Sequence, residues 1–172
     1  MAQIESIVLG GGCFWCTEAI FQEVKGVIKV TSGYAGGMMA NPLYEHVASG
    51  VSGHAEVIKV DFDPAQINLE KLLEIFFAVH DPTSLNRQGY DAGEQYRSVI
   101  FWLTEEQKEV AERAVRTASR QYTEPIVTEV KPLHKFYPAE VEHQNYFKNN
   151  PGKPYCSVVI APKLRKFREQ FK

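Results

Sequence analysis

The run Gly10-Gly11-Gly12-Cys13-Phe14-Trp15-Cys16 holds the residues best placed to do chemistry. Three glycines let the backbone approach its neighbours closely and adopt positive φ. An apolar, strand-like stretch precedes them and a helical pattern follows, so Cys13 is expected at or just before the first turn of a helix. Open N–H groups and the helix dipole favour a thiolate there. In that setting a cysteine pKa falls and the sulfur becomes nucleophilic. A buried cysteine packing as a small hydrophobe is the commoner fate, but the glycines and the C-x-x-C spacing to Cys16 favour a reactive role. Phe14 and Trp15 offer an apolar wall beside the sulfur, able to hold a group such as a methyl.

A second candidate is Glu56, in His54-Ala55-Glu56-Val57-Ile58-Lys59-Val60-Asp61-Phe62. At a strand's period of two, Glu56 shares a face with Ile58, Val60 and Phe62, while Lys59 and Asp61 take the other. A carboxyl on an apolar face is desolvated, its pKa rises, and it can hold a proton near neutral pH. A general acid needs that property. A strand-end glutamate reaching solvent is the alternative.

Regular elements must position these groups. Ile4 to Leu9 and Val27 to Gly33 read as strands, with a helix between them that Gly26 is placed to end. Tyr34 to Gly53 reads as a long loop, and His54 to Phe62 as the next strand. Asn68 caps a helix with the stripe Leu69, Leu72, Leu73, Phe76 and Val79 or His80, stopped by Asp81-Pro82. A polar loop from Thr83 to about Gln95 leads to a strand at Arg97 to Leu103. Thr104 and Gln107 form a capping box for a helix whose inner face is Val110, Ala111, Ala114, Val115 and Ala118. Ile126 to Lys131 and Cys156 to Ile160 read as strands, and Ala139 to Lys148 and Lys163 to Phe171 as short helical pieces. The order strand–helix–strand, strand–helix–strand predicts an α+β fold. The expected plan is a ferredoxin-like split βαβ sheet with helices on one face, an extra helix and an irregular C-terminal segment.

The 172 residues suit a single domain spanning 1–172. Hydrophobic residues at 44% and charged ones at 23% are ordinary for a globular chain, and a net charge of −2 argues against a nucleic-acid or anionic-membrane footprint. No apolar run is long enough to span a bilayer. The stretch from Met1 to Leu9 lacks the basic start and apolar core of a signal peptide, so a cytoplasmic protein is expected. Three cysteines are too few for a disulfide framework. The five histidines lack metal-ligand spacing, and one C-x-x-C alone speaks against zinc, so no metal and no cofactor are expected. His54 and His143 read as hydrogen-bonded structural residues, and Arg87 and Arg97 as partners for Asp91 or Glu94.

Gly12-Cys13-Phe14-Trp15 with Glu18 resembles the signature of the peptide methionine sulfoxide reductase A family. The resemblance continues through residues 32–37, 41–44, 53–57 and 80–83. It covers the run Asn86-Arg87-Gln88-Gly89-Tyr90-Asp91-Ala92-Gly93-Glu94-Gln95-Tyr96-Arg97-Ser98 and ends near His143-Gln144-Asn145-Tyr146. It implies a reductase that returns the S epimer of methionine sulfoxide, free or in peptides and proteins, to methionine. Cys13 is then the sulfur nucleophile, Phe14 and Trp15 the pocket for the S-methyl, and Glu56 the proton donor to the sulfoxide oxygen. Tyr44 and Tyr96 become hydroxyl donors to that oxygen, and Asp91 an anchor for the substrate or the pocket. The sulfenic acid left on Cys13 condenses with a second thiol to a disulfide. Cys16 is favoured as that thiol, one helical turn away, with Cys156 as the alternative. The family also implies regeneration by thioredoxin. Two other readings compete: a thioredoxin-like disulfide oxidoreductase on the C-x-x-C alone, and a binding module without turnover.

Overall fold

The structure, a computed structural model, describes residues 3–172. Met1 and Ala2, where the chain-start expectation begins, lie outside the described residues. The central strands are β1 (Glu5–Gly10), β2 (Val27–Ala35), β3 (Ala55–Phe62) and β6 (Val99–Trp102). A two-residue ribbon, β4 (Arg87–Gln88) with β5 (Asp91–Ala92), stands apart, and β7 (Glu129–Pro132) and β8 (Phe136–Pro138) complete the strands. The main sheet has the order β7-β6-β1-β3-β2-β8, antiparallel except for the β6–β7 pair. The helices are α1 (Phe14–Phe21), α2 (Tyr44–Ala48), α3 (Leu69–Ala78), α4 (Glu105–Ser119), α5 (Tyr146–Asn149) and α6 (Ala161–Phe171). The protein is thus a mixed α and β fold built on a sheet with packed helices.

Strand parity sets the main core. Ile7 and Leu9 of β1, Ile58, Val60 and Phe62 of β3, and Ile100 of β6 meet Ile20, Leu72, Leu73, Phe76 and Ala111 of the helices. The opposite face buries a smaller group, Val8, Val57, Val99 and Phe101, under Leu133 and Phe136. Helix α1 is buried almost all round, with only Trp15 partly exposed, as befits a helix crossing the core. Asn68 caps α3 as expected, its side chain accepting from the Lys71 amide at 2.8 Å. Thr104 caps α4 by accepting from the Gln107 amide, but the Gln107 side chain accepts from the Leu103 N–H, one residue before the box would place it.

Several expected elements differ. The segment 34–53 is not all loop: β2 runs to Ala35, and α2 makes one turn in which only Val47 is buried, too short to leave a periodic signal. The 83–95 loop carries the β4–β5 ribbon and runs into a 3-10 turn at Glu94–Tyr96. Helix α1 ends at Phe21, and Gly26, at φ 100, opens β2 instead. Strand β7 starts at Glu129 rather than Ile126, and 139–148 holds a 3-10 turn and the short α5. The edge strand β8 was not expected, since Pro138 at its end is tolerated only at a sheet edge. Residues Cys156–Ile160 are not a strand. They form a π-helical turn that continues into α6. The β-branched run Ser157-Val158-Val159-Ile160 suggests extended backbone, but Cys156, Ile160, Leu164 and Phe167 are the buried residues, and that spacing is helical. Arg97 pairs with Glu129 at 3.2 Å and donates to the Glu94 backbone oxygen, not to the Asp91 or Glu94 carboxylate.

Candidate active site

Register brings the two principal groups together. Leu9 lies opposite Ile58, antiparallel, so the chain leaving β1 passes the start of β3, where Glu56 sits. The turn needs Gly12, whose φ is 96° and where an added Cβ would lie 2.9 Å from Cβ and Cγ of Gln88. Cys13 follows as the N-cap of α1, with only 9% of its surface exposed. The next amide, Phe14 N–H, donates to Glu56 Oε1 at 3.1 Å. Glu56 therefore fills one of the open donors at the start of α1, and the acid is fixed one residue from the thiol.

Burial sets the proton affinities. It raises the Glu56 carboxyl to about 8; the nearby Asp91 charge adds to this, and the Phe14 amide works against it. Glu56 thus holds its proton at neutral pH, as its place on the apolar face predicts. The expectation for Cys13 is overturned: its pKa lies well above the ordinary thiol value, through burial first, then its hydrogen bond to Cys16 and the Glu56 charge. A helix dipole acts over the first turn, but here that turn is buried, so desolvation outweighs it. Cys16 moves the other way, to about 7, chiefly because Cys13 donates to it, with Lys163 and Tyr155 contributing.

Around the thiol stand aromatic side chains. Phe14 is fully buried, near Tyr34 and Tyr44, with centroids 5.7 and 6.3 Å away. Trp15 stacks face to face with Tyr146 at 3.7 Å and lies parallel to Tyr44 at 6.2 Å. The Trp15 indole N–H donates to His143 Nδ1 at 3.3 Å. Tyr44 and Tyr96 are half-buried, and burial, with the charges of Glu56 and Cys13, raises both phenols and keeps them as hydroxyl donors. Asp91 accepts from the Tyr155 hydroxyl at 2.7 Å. Cys13, Cys16 and Cys156 are free thiols in one cluster with Trp15, Tyr96, Tyr146 and Tyr155. The structure thus gathers all nine sequence candidates around α1, and both Cys16 and Cys156 lie within the same cluster.

Sequence reasoning passed over the residues that hold this aromatic shell. Glu140 accepts from the Tyr34 hydroxyl and the Tyr44 amide, both at 2.9 Å. Buried Glu18 accepts from the Asn145 and Tyr146 amides at 3.0 and 3.2 Å, which seats Tyr146 over Trp15. The only available signal for Glu18 was its place in the family signature. His54 and His143 are hydrogen-bonded structural residues as read: His54 Nδ1 accepts from Gly37 N–H at 2.9 Å. Among the described residues, Glu140, Glu142 and His143 could converge on a metal ion. Two of the three are already engaged, Glu140 by Tyr34 and Tyr44 and His143 by Trp15.

A buried thiol beside a proton-bearing acid, with tyrosine hydroxyls and aromatic rings packed around them, is the arrangement of a thiol-based redox site. Residues 5–172 match the model of the family described as "Peptide methionine sulfoxide reductase", and the chain belongs to that family. "Peptide methionine sulfoxide reductase MsrA" of Nitratiruptor sp. is 58% identical over 167 residues, 97% of this chain and 96% of the relative. The reduced form of Mxr1 from Saccharomyces cerevisiae superposes with a TM-score of 0.85 at 32% identity, covering 90% of each chain. Mxr1 in complex with Trx2 gives 0.61 at 25% identity, covering 84% of this chain and 85% of that one. The enzyme class is therefore an oxidoreductase of methionine sulfoxide. No helix of the described residues is long and apolar enough to cross a membrane.

Proposed function

We propose that the chain reduces the S epimer of methionine sulfoxide, free or in peptides and proteins, with Cys13 as nucleophile and Glu56 as general acid. The observation that carries this reading is the Phe14 amide bond to Glu56, which ties a protonated buried carboxyl to the residue beside the thiol. Cys13 passes its proton to Cys16 along the hydrogen bond they share. The Cys13 thiolate attacks the sulfoxide sulfur while Glu56 gives its proton to the oxygen, which Tyr44 and Tyr96 hold. The protonated oxygen then passes from the substrate sulfur to Cys13: the substrate S–O bond and the transient S–S bond break, a Cys13 S–O bond forms, methionine leaves, and Cys13 is a sulfenic acid. Phe14 and Trp15 bound the methyl slot, and Asp91 anchors the substrate. A methyl slot on one side of the oxygen site makes the pocket chiral and selects one epimer.

Cys16 is the favoured resolving thiol, with Cys156 as the alternative, and a thioredoxin-type dithiol reduces the disulfide. The Mxr1–Trx2 complex supports that partner. Residues 1–172 act as one catalytic domain, and the strand order β6-β1-β3-β2 supports the ferredoxin-like description of its centre. Three free cysteines suit a reducing compartment, the cytoplasm. The test is reduction of enantiopure methyl sulfoxides with dithiothreitol. Only the S epimer should turn over, Cys13→Ser should abolish the reaction, and Glu56→Gln should lower kcat by about 10²–10⁴-fold. Equal rates on both epimers, or full activity in Glu56→Gln, would refute the reading.

A further inference from the structure

One side chain of the C-terminal segment reaches into this site without a role in the scheme above. The Tyr155 hydroxyl lies 3.6 Å from Cys16 Sγ and donates to Asp91 Oδ2 at 2.7 Å. Its ring meets Trp15 edge-on at 5.7 Å, and Cys156 beside it is fully buried. A phenol has one proton. With that proton on Asp91, the Tyr155 lone pair faces Cys16 and can accept from the Cys16 S–H once Cys16 carries the proton it takes from Cys13. Cys16, Tyr155 and Asp91 thus form a continuous path for a proton.

We propose that Tyr155 is a catalytic residue of the resolving step, relaying the Cys16 proton to Asp91 and so directing resolution to Cys16 rather than Cys156. The inference rests on the reading that Cys13 carries the sulfenic acid. Cys16 sulfur attacks Cys13 sulfur, the S–S bond forms, and the Cys13 S–O bond breaks. The Cys16 proton moves to Tyr155 Oη as Tyr155 passes its own to Asp91. The departing hydroxide takes up that proton through solvent, so the products are one disulfide and one water. Cys16 sulfur is oxidised and Cys13 sulfur reduced by the same amount. A thiol forming its second bond to sulfur is far more acidic than a free thiol, so a carboxylate at the end of the relay is a sufficient base.

The test mixes reduced full-length enzyme with one equivalent of a methyl S-sulfoxide and no reductant, quenching over time. Methionine release reports the first step, and mass spectrometry of the disulfide reports the second. Tyr155→Phe should slow disulfide formation about tenfold or more relative to methionine release, with sulfenic acid accumulating. The lag should shrink as pH rises and solvent hydroxide ionises Cys16, a response that a merely structural loss would not give. Asp91→Asn, assayed at saturating sulfoxide, should show the same pH-sensitive lag and serves as a second variant. The proposal fails if the disulfide keeps pace with methionine release in Tyr155→Phe, if the lag is independent of pH, or if the wild-type disulfide joins Cys13 to Cys156. Absence of methionine release from the wild type would overturn the underlying function itself, which separates the two failures.

Discussion

Glu56→Gln should make the protein more stable at alkaline pH while disabling it. Burial holds the Glu56 carboxyl at about 8, against an ordinary value of 4.5. Between those values the folded protein keeps a proton that the unfolded chain releases, so folding stability falls as pH rises. Each pH unit inside the window is worth about 1.4 kcal/mol, which gives about 4 kcal/mol of lost stability between pH 5 and pH 8. Glutamine keeps an acceptor for the Phe14 amide and has no charge to bury. Urea unfolding of both proteins at pH 5, 6, 7 and 8 isolates the effect, because every other titrating group is common to both. The two should agree within about 1 kcal/mol at pH 5, with the variant more stable by about 3–4 kcal/mol at pH 8. Parallel stability curves across this range would refute a buried, proton-bearing Glu56. A stabilised but inactive variant is the expected signature of an acid kept for chemistry at the expense of the fold.

Three other outcomes follow from the same geometry. Gly12→Ala forces a Cβ at φ 96° against the Gln88 side chain, which itself bonds both Asp81 backbone groups, and should lower unfolding free energy by about 1–3 kcal/mol in thermal melts. Glu140→Ala leaves the Tyr34 hydroxyl and Tyr44 amide without their acceptor, costing about 1–3 kcal/mol in urea unfolding and raising the sulfoxide KM as Tyr44 shifts. Burial lowers His80 to about 4 from 6.5, so its neutral ring contributes stability above pH 6.5 that is lost as pH falls toward 4. Removing the histidine should flatten that acid limb, read from unfolding midpoints between pH 4.5 and 7.

The placement of Cys13 at a helix start and of Glu56 on the buried face was legible because each rests on local rules. A glycine-rich turn ahead of a helix marks Cys13, and strand parity alone turns Glu56 inward. Tyr44, Tyr96 and Asp91 lie in one-turn helices, ribbons and turns that carry no periodicity, so only the family pattern pointed to them. The helical reading of Cys156–Ile160 was hidden by β-branched residues, since their burial against α1 depends on a neighbour more than a hundred residues away in sequence. The same non-locality explains the thiol. A helix start predicts a lowered pKa, but the depth of burial that reverses it comes from packing the rest of the chain around α1. Tyr155 was invisible for that reason also: its meaning lies in Asp91 and Cys16, neither of which is near it in the chain.

Oxygen transfer from the substrate to Cys13 is the step on which the proposed chemistry turns. In a Cys16→Ser, Cys156→Ser double variant, which lacks the Cys16 proton acceptor and so reacts slowly, incubation to completion with one equivalent of methyl S-sulfoxide and a dimedone trap, followed by peptide mass spectrometry, reads this directly. The expected result is one methionine released per chain and one dimedone adduct, on Cys13. Methionine release without an adduct on Cys13, or no release at all while Cys13 remains free, would contradict the account.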